Sequence, residues 1–440
     1  MCVVVALVGV FGVKNAYDTL LERGFIEQVT DDQSIQDLFA REQITCYIGF
    51  DPTATSLHIG SLVPIMALAH MQRHGNRPIV LIGGGTALIG DPSGKTEMRQ
   101  VLTKEQVDEN VQALKQQLSK YVNFDDDKAL LLNNADWLTE LNYIGFLRDI
   151  GCHFSVNRML TAESYKMRLE KGLNFIEFNY MLLQAYDFFY LNRHYNCTLQ
   201  MGGNDQWGNM VAGIDLIRRL EGNTVYGITF PLIITSLGHK MGKTEKGTIW
   251  LDSKLTSSYD YFQYWINTDD KDVERFLALF TFLPMEEVAQ AGELSGSQLN
   301  MAKSVLAFET TKITHGKQAA VSAWRASASA STFNLKPVDP ALFKSSSIPR
   351  SEVIRDVSAI AVFEKTREEV VTIPIPELFE ETNLCASRSE TRRLIAQGGI
   401  YVNERRIQSI DERITIDDID QNGELRLRKG KKKYARIRVG

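Results

Sequence analysis

The sequence predicts an α/β fold with a largely parallel sheet, followed by a helical segment and a smaller basic α+β module. Three observations carry this expectation. Tyr47 to Ser61 reads as strand, polar turn and helix start. Three strand-to-helix loops (51–60, 83–96 and 202–209) combine glycine with carboxylate or amide side chains, the composition of ligand loops at the strand ends of an open parallel sheet. The C-terminal stretch then turns strongly basic in a chain of net charge −5.

A chain of 440 residues holds roughly two to three domains. Its 44% hydrophobic and 23% charged residues are ordinary for a soluble globular protein. The five cysteines are scattered and form no CxxC, which argues against a zinc ribbon or a disulfide framework and for a reducing, cytoplasmic compartment. Residues 1–13 are apolar but lack a positive start and are too short to span a bilayer, so they read as an appended or mis-assigned start or a frayed tail. No other run is long and apolar enough for a membrane span.

Thr45 to Phe50 is β-branched, aromatic or apolar apart from Gly49, and Asp51-Pro52 ends it because proline has no N–H. Leu62, Ile65, Met66 and Ala69 then recur at helical spacing, predicting an amphipathic helix that stops near Gly75. Its N-terminus, with His58 as an extra donor and Gly60 allowing close approach, reads either as a phosphate site or as an ordinary βα connection. Short helices are predicted for 15–23 and 32–42. Pro78 to Ile82 suits a buried parallel strand.

The following Gly83 to Thr96 fits neither the Walker spacing nor GxGxxG, yet its glycines, Asp91 and Lys95 suit a ligand carrying an amine and a phosphate. A helix is predicted over 103–121, a strand over 130–132 and a single helix over 138–150. In the helix predicted for 174–191, Tyr180, Gln184 and Asp187 share one face, either as a ligand site or as an internal hydrogen-bond network. Thr198 to Met201 and Phe230 to Ile234 complete the strands. Gly238 to Gly247 carries two lysines three apart, Lys240 and Lys243, either closing over a polyphosphate or lying in solvent.

Together, His58-Ile59-Gly60-Ser61 and Lys240-Met241-Gly242-Lys243-Thr244 resemble the two signature motifs of class I aminoacyl-tRNA synthetases. Tyr47 to Thr53, Gly90 to Lys95, Gln184 to Asp187 and Gly202 to Asn209 are similar to the bacterial-type tyrosine members of that family, from about Asn15 onward. The resemblance implies a Rossmann-like catalytic domain over 14–250, an α-helical domain over 251–325, a linker region over 326–373 and an S4-like RNA-binding domain over 374–440.

It further implies that Tyr47 and Asp187 hold the tyrosine phenol, that Asp91, Tyr180 and Gln184 hold the α-ammonium, and that Gln206 lies near the carboxylate. Thr53 and His58 would contact the triphosphate, and Lys95, Arg99, Lys240 and Lys243 would stabilise the pyrophosphate. Gly49, Gly60, Gly203 and Asp205 would complete the ATP site. A buried carboxylate with a phenol reads a hydroxyl because phenylalanine would leave both unpaired. Ser61 stands where the family commonly has His or Asn, and Ile48 where some members have Cys.

The implied reaction joins L-tyrosine to ATP, releases pyrophosphate, and passes tyrosine to the 3′ end of tRNA(Tyr). Mg2+ would come with ATP, without a protein metal site, and the enzyme would be a homodimer with no membrane partner.

Asp252 to about Arg325 reads as helix-rich, with helices over 259–265, 273–280 and 297–315. Ser, Ala and Pro over 326–347 give linker composition. Arg426 to Arg438 carries eight Lys or Arg and no acid, an electrostatic footprint for RNA phosphate or a solvated tail. Two other readings stand beside the first. One is a tryptophanyl counterpart, against which Tyr47 with Asp187 argues. The other is an RNA-binding protein on a synthetase scaffold, which loss of the lysine loop or pocket would favour.

Overall fold

The computed structural model describes residues 14–93, 102–170, 172–238, 241, 243–244, 247–329, 338–339, 341–350, 362–421, 423–430 and 433–440. The expectations for residues 1–13 and for Lys95, Arg99 and Lys240 fall outside them, and Lys243 is described by its backbone alone. The chain divides after Asp252 into two compact units, Ala278–Phe280 belonging with the first.

Six strands of the first unit form one sheet among the described residues: β1 Gln28–Val29, β2 Thr45–Phe50, β3 Arg77–Ile82, β4 Leu130–Asn133, β5 Leu199–Gly203 and β6 Tyr226–Phe230. Their order is β1-β6-β5-β2-β3-β4. All pairs are parallel except β1 with β6. Strand β2 lies between β3 and β5, with Tyr47 opposite Ile79 on one side and Gln200 on the other. The chain order reverses there, so the crevice beyond the ends of β2 and β5 is where such a sheet takes its ligand.

Helices α1 Ala16–Glu22, α2 Asp32–Arg41, α3 Leu62–Arg73, α4 Lys104–Leu118, α5 Ala135–Leu138, α6 Tyr143–Asp149, α7 Val156–Met159, α8 Glu163–Leu169, α9 Phe175–Tyr195 and α10 Trp207–Leu220 accompany the sheet. Three expectations are corrected. Helix α3 is not amphipathic: every residue from Leu62 to Met71 except Pro64 is buried, with Phe25 of the loop after α1 against His70. A helix covered on all sides has no polar face to show. The single helix expected over 138–150 is two, because the chain turns at Asn142, whose side chain accepts from Gly145 N at 3.0 Å to cap α6. The strand expected over 230–234 ends at Phe230, since Pro231 has no N–H to continue the ladder.

Two further short strands, β7 Lys243–Thr244 and β8 Gly247–Thr248, pair as an antiparallel ribbon. The chain after it joins the loop after β2: Ile59 N donates to Ile249 O at 3.1 Å and Leu251 N to Leu57 O at 2.8 Å.

The second unit contains helices α11 Ser258–Ile266, α12 Val273–Phe280 apart from its last three residues, α13 Met285–Gly292, α14 Gly296–His315 and α15 Lys317–Ser329. The stretch expected as a linker is in part ordered against them. Ala326 to Ser329 finish α15, Ser345 bonds to Glu287 and Ser346 to Glu309, and Phe343 and Ile348 are buried. Serines suggest a linker by composition, yet two glutamates here give them fixed acceptors.

The C-terminal sheet contains β9 Val362–Lys365, β10 Ile400–Val402, β11 Arg405–Arg406, β12 Glu424–Lys429 and β13 Lys433–Val439, in the order β11-β10-β12-β13-β9. Helices α16 Arg367–Thr372, α17 Ile375–Glu381 and α18 Arg388–Ala396 pack with it around Leu378, Phe379, Ile400, Leu425 and Ile437. Its first strand lies before residue 374, inside the expected linker. The terminal basic run is folded too. Arg436 pairs with Glu424, Lys429 with Glu390, and the Arg428 guanidinium lies 3.6 Å from the Tyr401 ring centre.

Candidate active site

The loops after β2, β3, β4 and β5 leave the same edge of the sheet, and α9 runs beside it. Asn174 starts α9 with a capping box, in which Glu177 returns a bond to the Asn174 N–H. The helix then presents Tyr180, Gln184 and Asp187 three and four residues apart, as the spacing predicted.

Asp187 is buried. Trp137 Nε1 donates to its Oδ1 at 2.8 Å and Asn134 Nδ2 to its Oδ2 at 2.9 Å. Burial pushes its carboxyl up to about 7, while the Asn134 and Trp137 donors pull it back. Tyr47 lies 1% exposed, its ring 5.3 Å from that of Phe188, and its hydroxyl has no hydrogen-bond partner among the described residues. Burial and the neighbouring Asp187 charge hold this phenol well above its ordinary pKa. A buried hydroxyl without a partner beside a buried carboxylate is costly, and a ligand hydroxyl placed between them offsets that cost.

The polar network continues from there. Asn134 Nδ2 also reaches Thr86 Oγ1 at 3.1 Å, Thr86 Oγ1 donates to Asp51 Oδ1 at 2.9 Å, and the Tyr180 hydroxyl donates to Asp51 Oδ2 at 3.1 Å. Gly83 is required at this point, because a Cβ there would stand 2.2 Å from Asp51 Oδ1 and 2.4 Å from Thr86 Oγ1. A second cluster lies around Asn209. Its Nδ2 lies 3.0 Å from Gln184 Oε1 and 3.1 Å from Gln206 Oε1, and Gln206 Nε2 donates to Asp91 Oδ2 at 2.8 Å. Asp91 also accepts from Ser93 N at 2.9 Å. Thus Asp91, Gln184 and Gln206 come together through Asn209, and Tyr47 and Asp187, both buried, lie within electrostatic reach of each other. Tyr180 joins Asp51.

His58 is exposed at the head of a 3₁₀ turn, Ile59–Ser61, and its Nδ1 accepts from Gly60 N at 3.0 Å. A backbone N–H only donates, so Nδ1 is unprotonated here and Nε2 carries the hydrogen. A Cβ on Gly60 would lie 2.7 Å from His58 Cε1, so the imidazole folds back only over glycine. The His58 and Trp250 rings meet edge to face at 6.4 Å. Thr53 and Gly49 are exposed at the end of β2, and Asp205 is exposed in the turn after β5, beside Gly203. Gly60, Gly203 and Asp205 also line a cavity of about 980 Å³ that extends to Arg158, Trp207 and Leu232.

Sequence reasoning missed Asp51, Asn134, Trp137 and Asn209, each within hydrogen-bond distance of an expected residue, and Thr86, which links Asp51 to Asn134. Asp51 and Asn134 follow directly on β2 and β4, and strand-end position was the signal that could have found them.

Residues 40–331 match the family described as tRNA synthetases class I (W and Y), and residues 354–437 match the SYY-like C-terminal domain of tyrosine–tRNA ligases. The chain is 63% identical to the tyrosine–tRNA ligase of Syntrophus aciditrophicus over 427 residues, covering 97% of this chain and 99% of that one. It is 52% identical to that of Caldanaerobacter subterraneus over 429 residues, covering 97% and 99%. Among solved structures, a C-terminally truncated mitochondrial tyrosyl-tRNA synthetase from Aspergillus nidulans superposes with a TM-score of 0.64 at 30% identity, covering 71% of this chain and 93% of that one. A tryptophanyl-tRNA synthetase from Encephalitozoon cuniculi, at 15% identity and a TM-score of 0.53, shares the fold alone. The first family covers both tryptophan and tyrosine enzymes, and near-full-length identity to the tyrosine enzymes decides between them: the chain belongs to the tyrosyl-tRNA synthetases, the tyrosine–tRNA ligases of class I.

Proposed function

We propose that the crevice beyond β2 and β5 activates L-tyrosine with ATP through the residues assembled there. The observation that carries this reading is the partnerless Tyr47 hydroxyl buried beside Asp187. The substrate phenol would accept from Tyr47 and donate to Asp187. Asp91, Tyr180 and Gln184 would hold the ammonium, with Gln206 toward the carboxylate. The tyrosine carboxylate attacks the α-phosphorus of ATP, giving tyrosyl-adenylate and pyrophosphate. The terminal ribose of tRNA(Tyr) then attacks the acyl carbon and releases AMP.

No protein nucleophile is needed, because the protein positions the reactants and stabilises developing charge. Thr53 and the Nε2–H of His58 would face the triphosphate, and Lys95, Arg99, Lys240 and Lys243 would neutralise the departing pyrophosphate. Gly49, Gly60, Gly203 and Asp205 would border the nucleotide. Mg2+ would arrive with ATP, bound to its phosphates.

The basic α+β module from about residue 362 would hold tRNA, and residues 14–250 and 251–325 would act as catalytic and helical domains. A homodimer is proposed from exposed apolar side chains in the first unit, Tyr143, Ile144, Val156 and Phe175 among them. Cytoplasmic location is proposed with it. No described helix is long and apolar enough to cross a membrane.

Pyrophosphate exchange into ATP with each of the twenty amino acids, without tRNA, tests the reading. Exchange with tyrosine alone is expected. Equal exchange with phenylalanine would overturn the roles given to Tyr47 and Asp187.

A further inference from the structure

Helix α9 is held from outside at the turn that carries Tyr180. Tyr165 of α8 is 1% exposed, and its ring lies 5.4 Å from that of Phe178. Its hydroxyl donates to Phe178 O at 2.8 Å and accepts from Met181 N at 3.3 Å. These two backbone groups flank Tyr180 on either side. One turn earlier, Arg168 of α8 pairs with Glu177 of α9 at 2.9 Å, with both side chains buried. Packing alone does not call for the hydroxyl: phenylalanine would fill nearly the same volume and spare its desolvation. The oxygen uses its donor and one acceptor on the backbone of a single turn.

The Tyr180 hydroxyl reaches Asp51 Oδ2 at 3.1 Å, at the long end for an O–H···O bond. Its position depends on the rotation of α9 through the long lever of a tyrosine side chain, so a small turn of the helix breaks it.

We propose that Tyr165 is a positioning residue for tyrosine binding: by fastening the Phe178–Met181 turn, it fixes the direction in which Tyr180 offers its oxygen to the substrate ammonium. This rests on the assignment of Tyr180 to the ammonium. The Tyr165 hydroxyl bonds to the backbone of α9, so its effect falls on affinity and passes through Tyr180.

The test is a double-mutant cycle in the full chain with Tyr165→Phe, Tyr180→Phe and both, reading the tyrosine Kd by equilibrium dialysis and the kcat of pyrophosphate exchange. Tyr165→Phe is expected to weaken tyrosine binding about fivefold, the scale of one neutral hydrogen bond, with kcat within about twofold of the parent. In the Tyr180→Phe background the same substitution is expected to change Kd by less than about twofold. A loss of equal size in both backgrounds, or no loss in either, overturns the proposal. If Tyr180→Phe alone binds tyrosine as the parent does, the ammonium assignment fails and the proposal with it. If Tyr180→Phe weakens binding and Tyr165→Phe does not, the role of Tyr165 alone fails.

Discussion

Asn134 donates its amide to Asp187 Oδ2 at 2.9 Å, and the same nitrogen reaches Thr86 Oγ1 at 3.1 Å. The carboxylate proposed to read the substrate phenol is thereby tied through Thr86 to Asp51 and Tyr180, the latter proposed to hold the substrate ammonium. Two donors on a buried carboxylate keep it able to ionise near neutral pH, although burial wins overall and raises it.

Affinity for tyrosine should therefore depend on pH through Asp187. The group moves from 3.8 up to about 7 in the folded chain. As pH falls below about 7 the acceptor is protonated and tyrosine binding should weaken, approaching tenfold per unit well below that point. Stability runs the other way. The folded state binds the proton more tightly than the unfolded state, so the contribution of this group is fully present below pH 3.8 and is lost as pH rises through about 7. Asp187→Asn should remove both dependences, as tyrosine titrations and urea melts across pH 5 to pH 8 would reveal.

Tyr47→Phe should separate stability from recognition. Its hydroxyl is buried and has no partner among the described residues, so removing it should leave the unfolding free energy unchanged or raise it by up to about 1–3 kcal/mol of relieved desolvation. The ratio of exchange with tyrosine to exchange with phenylalanine should fall about tenfold. A destabilised variant with intact selectivity would contradict this.

Gly60→Ala should slow adenylate formation while sparing tyrosine binding. The added Cβ would stand 2.7 Å from His58 Cε1 and 2.9 Å from Nδ1, forcing the imidazole off the Gly60 N–H. A rate loss of about ten- to hundredfold in pre-steady-state adenylation is expected, with tyrosine Kd within about twofold.

Arg168→Met should strand Glu177 as an unpaired buried carboxylate and cost about 3–5 kcal/mol in a denaturant melt. The pair Arg168→Met with Glu177→Leu should recover much of that loss, because apolar groups of similar size need no partner.

The elements were legible where local chemistry decided them. The β2 strand stops at Asp51-Pro52 and α12 was expected over the residues it covers, because proline geometry and helical periodicity act over a few residues. The face of α9 bearing Tyr180, Gln184 and Asp187 was legible for the same reason. What lay hidden was set by contacts between distant residues. Nothing in the run from Leu62 to Met71 told that neighbours cover α3 on every side. Nothing in Asn134 or Trp137 told that a carboxylate 50 residues away would need their donors. The serines at 345–347 looked like a linker until Glu287 and Glu309 gave them acceptors.

Strand β9 pairs in parallel with β13, Val362 opposite Arg436. During synthesis Val362–Lys365 emerges well before its partner, and an unpaired edge must wait while the residues between are made. Closure of this sheet is therefore a late, non-local event, slower than formation of the helices that precede it. A nascent chain paused between residues 366 and 432 would expose that edge, which gives a chaperone a strand to cover in this interval.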